Sequence, residues 1–486
     1  MKVNPSIFRG YDLRGLVGED LSPEIAEHLG RAFGTYLKRH GITEAIVGRD
    51  CRETSPEYSE RLAQGLAWTG VDVQDIGMNL VGTFYWAQYH LQRKGGVYVS
   101  ASHNPPEYNG FKFANDYSET LVSDGMQEML RLVQEEDYDQ GETLGKIEKI
   151  DIRPAYFADV IERIPLSRKF KVVVDPSNTT AGDIAPALLK QAGCEVVEFN
   201  TNVDPTFPLG VADPTETAVM RRLQKEVVEA GADVAFTFDA DGDRIGIVDE
   251  KGNIIWNDVL VAIFATGVLL DHPGSTIMYN TLCSKMVEET IVAHGGKPFM
   301  WRVGHSFLKK KNQEVKAAFI GELSGHFFFS EDFYNHDDGL YSMVRVLRHM
   351  ADTGKKLSEI VAELPHYISS PEIKLSCADD KKVALVEKLS PILHRDYPDA
   401  DVIDDDGRAG DGVRLELPES MFVLRYSQNG PYLTIKFEAK DPDEYERLRV
   451  YISDLLRQFP EVDWKSKIAT NVEALELSDQ AEKLAE

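Results

Sequence analysis

The chain has 486 residues, 43% of them hydrophobic, and a formal net charge of −27, with 53 Lys and Arg against 80 Asp and Glu. That length is enough for about three or four domains with cores of their own, and the acidic balance argues against a nucleic-acid or anionic-membrane partner. No apolar run approaches about 18 residues, the start MKVNPSIFRG lacks a charged-then-apolar secretory pattern, and Cys51, Cys194, Cys283 and Cys377 lack C-x-x-C spacing. The expectation is a soluble cytoplasmic protein with buried free thiols and no disulfide framework or zinc site.

The first informative stretch is FRGYDLRG at 8–15, where Tyr11 and Arg14, taken in isolation, could simply cap the first strand. Residues 44–77 then run apolar strand, polar loop, amphipathic helix, Gly, second strand, and the same β-loop-α-β order returns at 170–200 and 275–304. Short connections of this kind favour parallel strands joined by right-handed crossovers, so the repeat predicts three α/β domains. Within the first, the strand VYVSA ends in SHNPPEYNG. That places Ser102 on a loop at a sheet edge, displayed rather than buried, where a catalytic group or a capping turn serine could stand. His103 is its neighbour, and Lys112 follows on the same loop, where by itself it would be a solvated lysine. The acidic run at 134–141 reads as surface before the second domain.

The second repeat leads into FTFDADGDRIGIVDEKGNII, in which Asp239, Asp241 and Asp243 recur at every second residue between strand-like runs. Three hard oxygen donors on one tight loop suit Mg²⁺ or another small divalent cation. An EF-hand also begins D-x-D-x-D, but its sixth position needs Gly and here holds Arg244, and the flanks read as strands. A solvated acidic turn would have no use for Arg244, whereas a phosphate-plus-metal site would. The third repeat ends in RVGHSFLKKK, which offers His305 and Lys309, and GELSGH follows with Glu322 and Ser324 at alternating positions of an extended segment. After about 364 the repeat stops. Strands at 372–377, 411–417, 420–427 and 431–439, with helices around 382–393 and 443–458, predict a separate α+β domain. Its RYSQNGPYL turn could grip an anion through Arg425, Ser427, Asn429 and the Gly430 amide. The polar tail, 466–486, receives no function.

These six segments, in this order, resemble the α-D-phosphohexomutase superfamily, and within it the phosphomannomutase/phosphoglucomutase branch. The resemblance implies three tandem mixed-sheet α/β domains (1–150, 151–252 and 253–365) and a C-terminal α+β domain resembling TATA-binding protein (366–465), around a central cleft. It implies that Ser102 is phosphorylated and, with Asp239, Asp241 and Asp243, holds Mg²⁺. The phosphoserine donates to a sugar phosphate, giving a hexose 1,6-bisphosphate that reorients and returns its other phosphate, so hexose 1-phosphate and 6-phosphate interconvert. By the same resemblance Arg14, His103, Lys112 and Arg244 assist transfer, and Tyr11, His305, Glu322, Ser324, Arg425, Ser427, Asn429 and Gly430 bind substrate. Gln428 and Asn429 stand where the family more often has Asn and Thr. Leu282 stands where some bacterial members have a phosphate-binding lysine, a contact that Lys285 could replace. The expected partners are small sugar phosphates, for a monomer or dimer. The alternatives are a phosphoglucosamine mutase, whose serine loop often differs from Glu107-Tyr108-Asn109, and a non-catalytic sugar-phosphate-binding protein, which would predict a damaged site.

Overall fold

The computed structural model describes residues 1–404, 406–428 and 430–476. The chain divides into two compact units: Met1–Leu260 with Lys309–Ile320 and Ser324–Ala362, and Val261–Leu308 with Gly321–Leu323 and the chain from Glu363 onward.

The first unit holds two mixed sheets. In the first, Glu44–Arg49 pairs in parallel with Asp72–Met78 and Gly95–Val99, as the repeat predicts. The connection from Gly95–Val99 to Tyr108–Asp116 is too short for a crossover, so these two strands pair antiparallel and the serine loop becomes a tight link between neighbours. Leu13–Leu16 closes that edge, with Arg14 opposite Gly110. The helices Pro23–Arg39 and Ser55–Trp68 meet backbone to backbone: a Cβ on Gly30 would lie 2.2 Å from the Leu62 carbonyl, and one on Gly65 would lie 2.2 Å from that of Glu27. Phe33, Leu62, Val97 and Phe111 fill the core beneath.

In the second sheet, Lys171–Val174 pairs in parallel with Glu195–Glu198 and Val234–Phe238. Val234–Phe238 then turns back on Ile245–Asp249 in register Phe238 to Ile245. Residues 239–244 are therefore a hairpin loop between two fully buried strands, which is why three carboxylates stand together at the end of an apolar layer.

In the second unit, Thr276–Asn280 and Lys297–Trp301 are the parallel pair of the third repeat. Its seven-stranded sheet has antiparallel neighbours throughout, in the order Asp401–Ile403, Gly412–Glu416, Ser420–Tyr426, Tyr432–Ala439, Ile373–Cys377, Val462–Asp463, with Ile368–Ser369 added against Tyr432–Ala439. The helices Asp379–Asp396 and Pro442–Arg457 share its core, an α+β arrangement. The first of these runs beyond the predicted 382–393 at both ends and includes Pro391. Part of the segment set apart as a tail is packed: Thr470 exchanges backbone hydrogen bonds with Lys374, and Leu475 is 1% exposed in the same core. Residues 477–486 of that segment lie outside the described residues. All four cysteines are free and buried, and among the described residues no helix is long and apolar enough to cross a membrane.

Candidate active site

Ser102 is 2% exposed, so the displayed serine of the sequence reading is in fact covered. The reason is its partner: its hydroxyl donates to Asp239 Oδ2 at 3.0 Å, and the second sheet's hairpin loop lies over it. Its amide donates to Ser100 Oγ at 2.8 Å, and Ser100 Oγ donates to Asp241 Oδ2 at 3.0 Å. The residue sits at φ +49°, a left-handed conformation that a serine adopts at a cost and that points its Cβ toward the aspartates. His103 Nδ1 lies 3.1 Å from the same hydroxyl. Arg14 donates to Asn104 Oδ1 at 2.8 Å and to the Ala101 carbonyl at 3.3 Å while paired with Asp12 at 2.9 Å. Tyr11, buried, lies beside Arg14.

Asp239, Asp241 and Asp243 are all buried, with carboxylate oxygens that lie within 4.8 Å of one another. Lys112 is also buried and donates to Asp241 Oδ2 at 2.9 Å and Asp243 Oδ2 at 2.8 Å. Burial and the neighbouring Asp243 and Asp241 push the Asp239 carboxyl well above the usual range. Burial alone would depress the Lys112 ammonium, but the Asp241 and Asp243 charges outweigh it and hold it well above its ordinary value.

GELSGH also supplies a residue that sequence reasoning passed over. His326 is buried, its Nδ1 lies 2.7 Å from Asp337 Oδ2, and its Nε2 accepts from Arg244 Nε at 3.2 Å. That pairing sets the tautomer: Nδ1 carries the proton and Nε2 the lone pair. Arg244 also reaches Asp213 at 3.8 Å, and its backbone amide donates to Asp239 Oδ1 at 3.2 Å. Burial raises the Asp337 carboxyl, yet the His326 hydrogen bond and the Lys309 charge hold it below its ordinary value. Lys309 itself, buried 4.3 Å over the Tyr85 ring, donates to the Ser118 carbonyl at 2.9 Å. The cue in the sequence was Asp337-Asp338 eleven residues after His326, a spacing with no local periodicity to flag it.

Residues 323–325 form a turn, with Gly325 at φ +94°, so the expected extended spacing of Glu322 and Ser324 is not what the chain adopts. Ser324, in the first unit, is half-buried. Glu322, in the second, is 1% exposed, and its Oε1 accepts from Asn280 Nδ2 at 3.0 Å and the Gly304 amide at 2.9 Å. His305 is buried at the first residue of the helix His305–Val315. Arg425 is buried too, with Nε 2.9 Å from Asp411 Oδ1 and Nη2 2.5 Å from Oδ2. Ser427 is buried near it in sequence, and the Gly430 carbonyl accepts from Lys382 at 2.9 Å. Asn429 lies outside the described residues. Leu282 is buried, and Lys285 is spent on an ion pair with Glu416, so the substitute phosphate contact expected of Lys285 is already engaged.

Models of the phosphoglucomutase/phosphomannomutase family match this chain three times: α/β/α domain I over residues 5–140, domain II over 154–252 and domain III over 256–367. A phosphomannomutase/phosphoglucomutase of Pseudomonas aeruginosa is 37% identical over 452 residues, 93% of this chain and 96% of that protein. The chain belongs to this family. A phosphoglucomutase of Neisseria gonorrhoeae is 32% identical over 95% of this chain and 99% of its own. The crystal structure of a family protein from Burkholderia thailandensis superposes with a TM-score of 0.86 at 33% identity, covering 94% of this chain and 98% of that one.

The residues present fit a metal of the kind the family uses. Asp241 and Asp243 each give one oxygen to Lys112 and leave Oδ1 buried without a hydrogen-bond partner among the described residues. Such orphaned acceptors beside Asp239 and the Ser102 hydroxyl make an all-oxygen donor set for a hard cation.

Proposed function

We propose that this chain is a phosphohexomutase that interconverts the 1- and 6-phosphates of mannose and glucose through phosphoserine at Ser102. The observation that carries the reading is the Ser102 hydroxyl held 3.0 Å from Asp239 in a buried nest of three aspartates. Moving a phosphoryl group demands positioning and charge stabilisation more than covalent chemistry. Mg²⁺, held by Asp239, Asp241, Asp243 and an oxygen on Ser102, would supply charge neutralisation to the phosphoryl oxygens. Lys112 and Arg14 flank the serine loop as fixed cations for the same oxygens.

In the forward half-reaction a sugar hydroxyl attacks the phosphorus on Ser102. The new P–O bond forms to the sugar, the bond to Ser102 Oγ breaks, and the hydroxyl proton leaves to a base. His326 suits that task once its Nε2, which here accepts from Arg244 Nε, is released to the sugar hydroxyl, while Asp337 holds the ring through Nδ1. The hexose 1,6-bisphosphate then reorients and returns its other phosphate to Ser102. Arg425, Ser427, Asn429 and the Gly430 amide are assigned to the phosphate that is not reacting. Tyr11, His305, Glu322 and Ser324 are assigned to the sugar, and His103 orients the serine. The division into domains at 1–150, 151–252, 253–365 and 366–465, a cytoplasmic location, a monomer or dimer, and the lack of nucleic-acid or membrane partners belong to the same proposal.

The test is side-by-side mutase rates on mannose 1-phosphate, glucose 1-phosphate and glucosamine 1-phosphate with Mg²⁺ and a catalytic amount of hexose 1,6-bisphosphate. Comparable mannose and glucose rates are expected. A clear glucosamine preference would move the chain to another branch, and inactivity on all three, with phosphate on Ser102 by intact mass, would overturn the substrate class.

A further inference from the structure

Arg52, in the first α/β domain, is 1% exposed, and all of its guanidinium N–H groups are spent. Nε donates to Asp50 Oδ2 at 3.1 Å. Nη2 donates to the carbonyls of Ser102 and Asn104, both at 2.6 Å, and Nη1 to those of Pro105 and Tyr108 at 2.8 and 2.9 Å. Four carbonyl oxygens of the serine loop thus converge on one planar cation, an arrangement that only a guanidinium fork can satisfy; a lysine has three donors on a point charge. The Arg52 guanidinium carbon lies 5.0 Å over the Phe207 ring, and the adjacent Cys51 amide donates to Thr180 Oγ1 at 3.0 Å. Both partners come from the second α/β domain, the one that carries the aspartates.

The consequence for Ser102 is geometric. Its carbonyl is fixed on Arg52, its amide is fixed on Ser100 Oγ, and φ is +49°, so its Cβ has one direction left, toward Asp239. Asp50 neutralises the guanidinium, and no N–H remains to meet a phosphate, so Arg52 differs in kind from Arg14. We propose that Arg52 is a positioning residue of the phosphoryl transfer, bracing the serine loop so that the Ser102 oxygen keeps its place against the aspartates whether or not it carries phosphate. This rests on the mutase reading for its kinetic consequence and on the contacts alone for its effect on the loop.

The test is Arg52→Ala and Arg52→Lys in the full chain, assayed for kcat and KM and for proteolytic cleavage within residues 102–108, with and without added guanidinium ion. Misplacing a reacting atom by about 1 Å costs about 100-fold, so Arg52→Ala should lose about that much kcat with little change in KM. Guanidinium, which refits the vacated fork, should restore at least about a tenth of the loss, whereas urea and the Lys variant should not. A purely structural role would lower the melting temperature without rescue of kcat. That result, or a kcat within about threefold of the parent, would overturn the proposal. If the parent itself has no mutase activity, the mutase reading fails, while cleavage of the loop in Arg52→Ala and its protection by guanidinium still decide the brace; an uncut loop in Arg52→Ala would sink it.

Discussion

The serine loop and the turn after Ser420–Tyr426 are built alike, each with a buried arginine paired to an aspartate, yet the two arginines are left in different states. Arg52 spends every donor on Asp50 and loop carbonyls. Arg425 gives Nε and Nη2 to Asp411 but reaches Thr434 Oγ1 with Nη1 at 3.5 Å, the far limit of a hydrogen bond. A saturated guanidinium holds backbone in place; Arg425, whose firm contacts among the described residues are with Asp411 alone, could take a phosphate in competition with that carboxylate. The braced serine loop suits the fixed nucleophile of the proposed mutase, and the less committed Arg425 suits its proposed part in holding an intermediate that must be released and recaptured.

The largest effect should come from the braced side. Ser102→Ala removes the proposed phosphoryl carrier and should cut turnover by at least about 10³-fold with the fold intact by circular dichroism; retained turnover would take the serine out of the mechanism. Asp241→Asn sharpens the same point. It removes a carboxylate whose Oδ1 is orphaned, so its rate loss should come with a weaker response to Mg²⁺ titration, and an unchanged titration would move the metal elsewhere.

On the other side, Arg425→Met should raise KM about 10- to 100-fold, the worth of a charge-assisted pair of hydrogen bonds, while phosphate still loads on Ser102 by intact mass. Asp411→Asn should do the opposite to KM, because it frees the fork that Asp411 now occupies. If both variants raised KM equally, the contrast between brace and grip would be lost.

Much of the fold was legible in the sequence. The β-loop-α-β repeat carries its own hydrophobic period, and the parallel pairs at 44–78, 171–198 and 276–301 follow from it. Ser102 stood out as the hydroxyl between an apolar run and a turn rich in Asn, Pro and Gly, and the aspartates by their spacing at every second residue between two strand-like runs. His326 with Asp337, and Arg52 with the serine loop, did not, since each joins positions that only the folded chain brings together. Burial of Ser102 was misjudged for the same reason: a loop at one sheet edge is exposed until a second domain's hairpin covers it.

A smaller effect tests the packing around the chemistry. Burial raises Asp338 from an ordinary 3.8 to about 7 against the opposing pull of the Tyr341 amide and of the Tyr156 hydroxyl, which lies 2.9 and 2.8 Å from its two oxygens, and Gly82 packs so close that a Cβ there would lie 2.6 Å from the Asp338 Cγ. Below about pH 4 this acid is neutral folded or unfolded, and its burial is uncharged. As pH rises toward 7 the unfolded chain releases the proton first, so the contribution to stability is lost through that window. Asp338→Asn stays neutral and keeps the cap on Tyr341. It should be more stable than the parent at pH 8 by roughly 2–4 kcal/mol, with the gap closing toward pH 4 in urea titrations; a gap that does not depend on pH would show that the carboxyl is not held neutral.

The smallest effect concerns the segment that sequence alone set aside. Leu475 lies in the core shared by Leu448, Ile452 and Leu455, and Arg449 Nη1 donates to its carbonyl at 2.7 Å. The backbone pairing of Thr470 with Lys374 brings the chain there as an added bridge on the sheet that carries Arg425. Leu475→Ala should therefore cost about 2–3 kcal/mol, read as a lower urea midpoint with an unchanged slope. Because the loss falls on the sheet that carries Arg425 and not on the serine loop, any kinetic change at a temperature where the protein stays folded should, on the proposed roles, appear in KM before kcat. A drop in kcat alone would mean that the two regions are not separable in the way their arginines suggest.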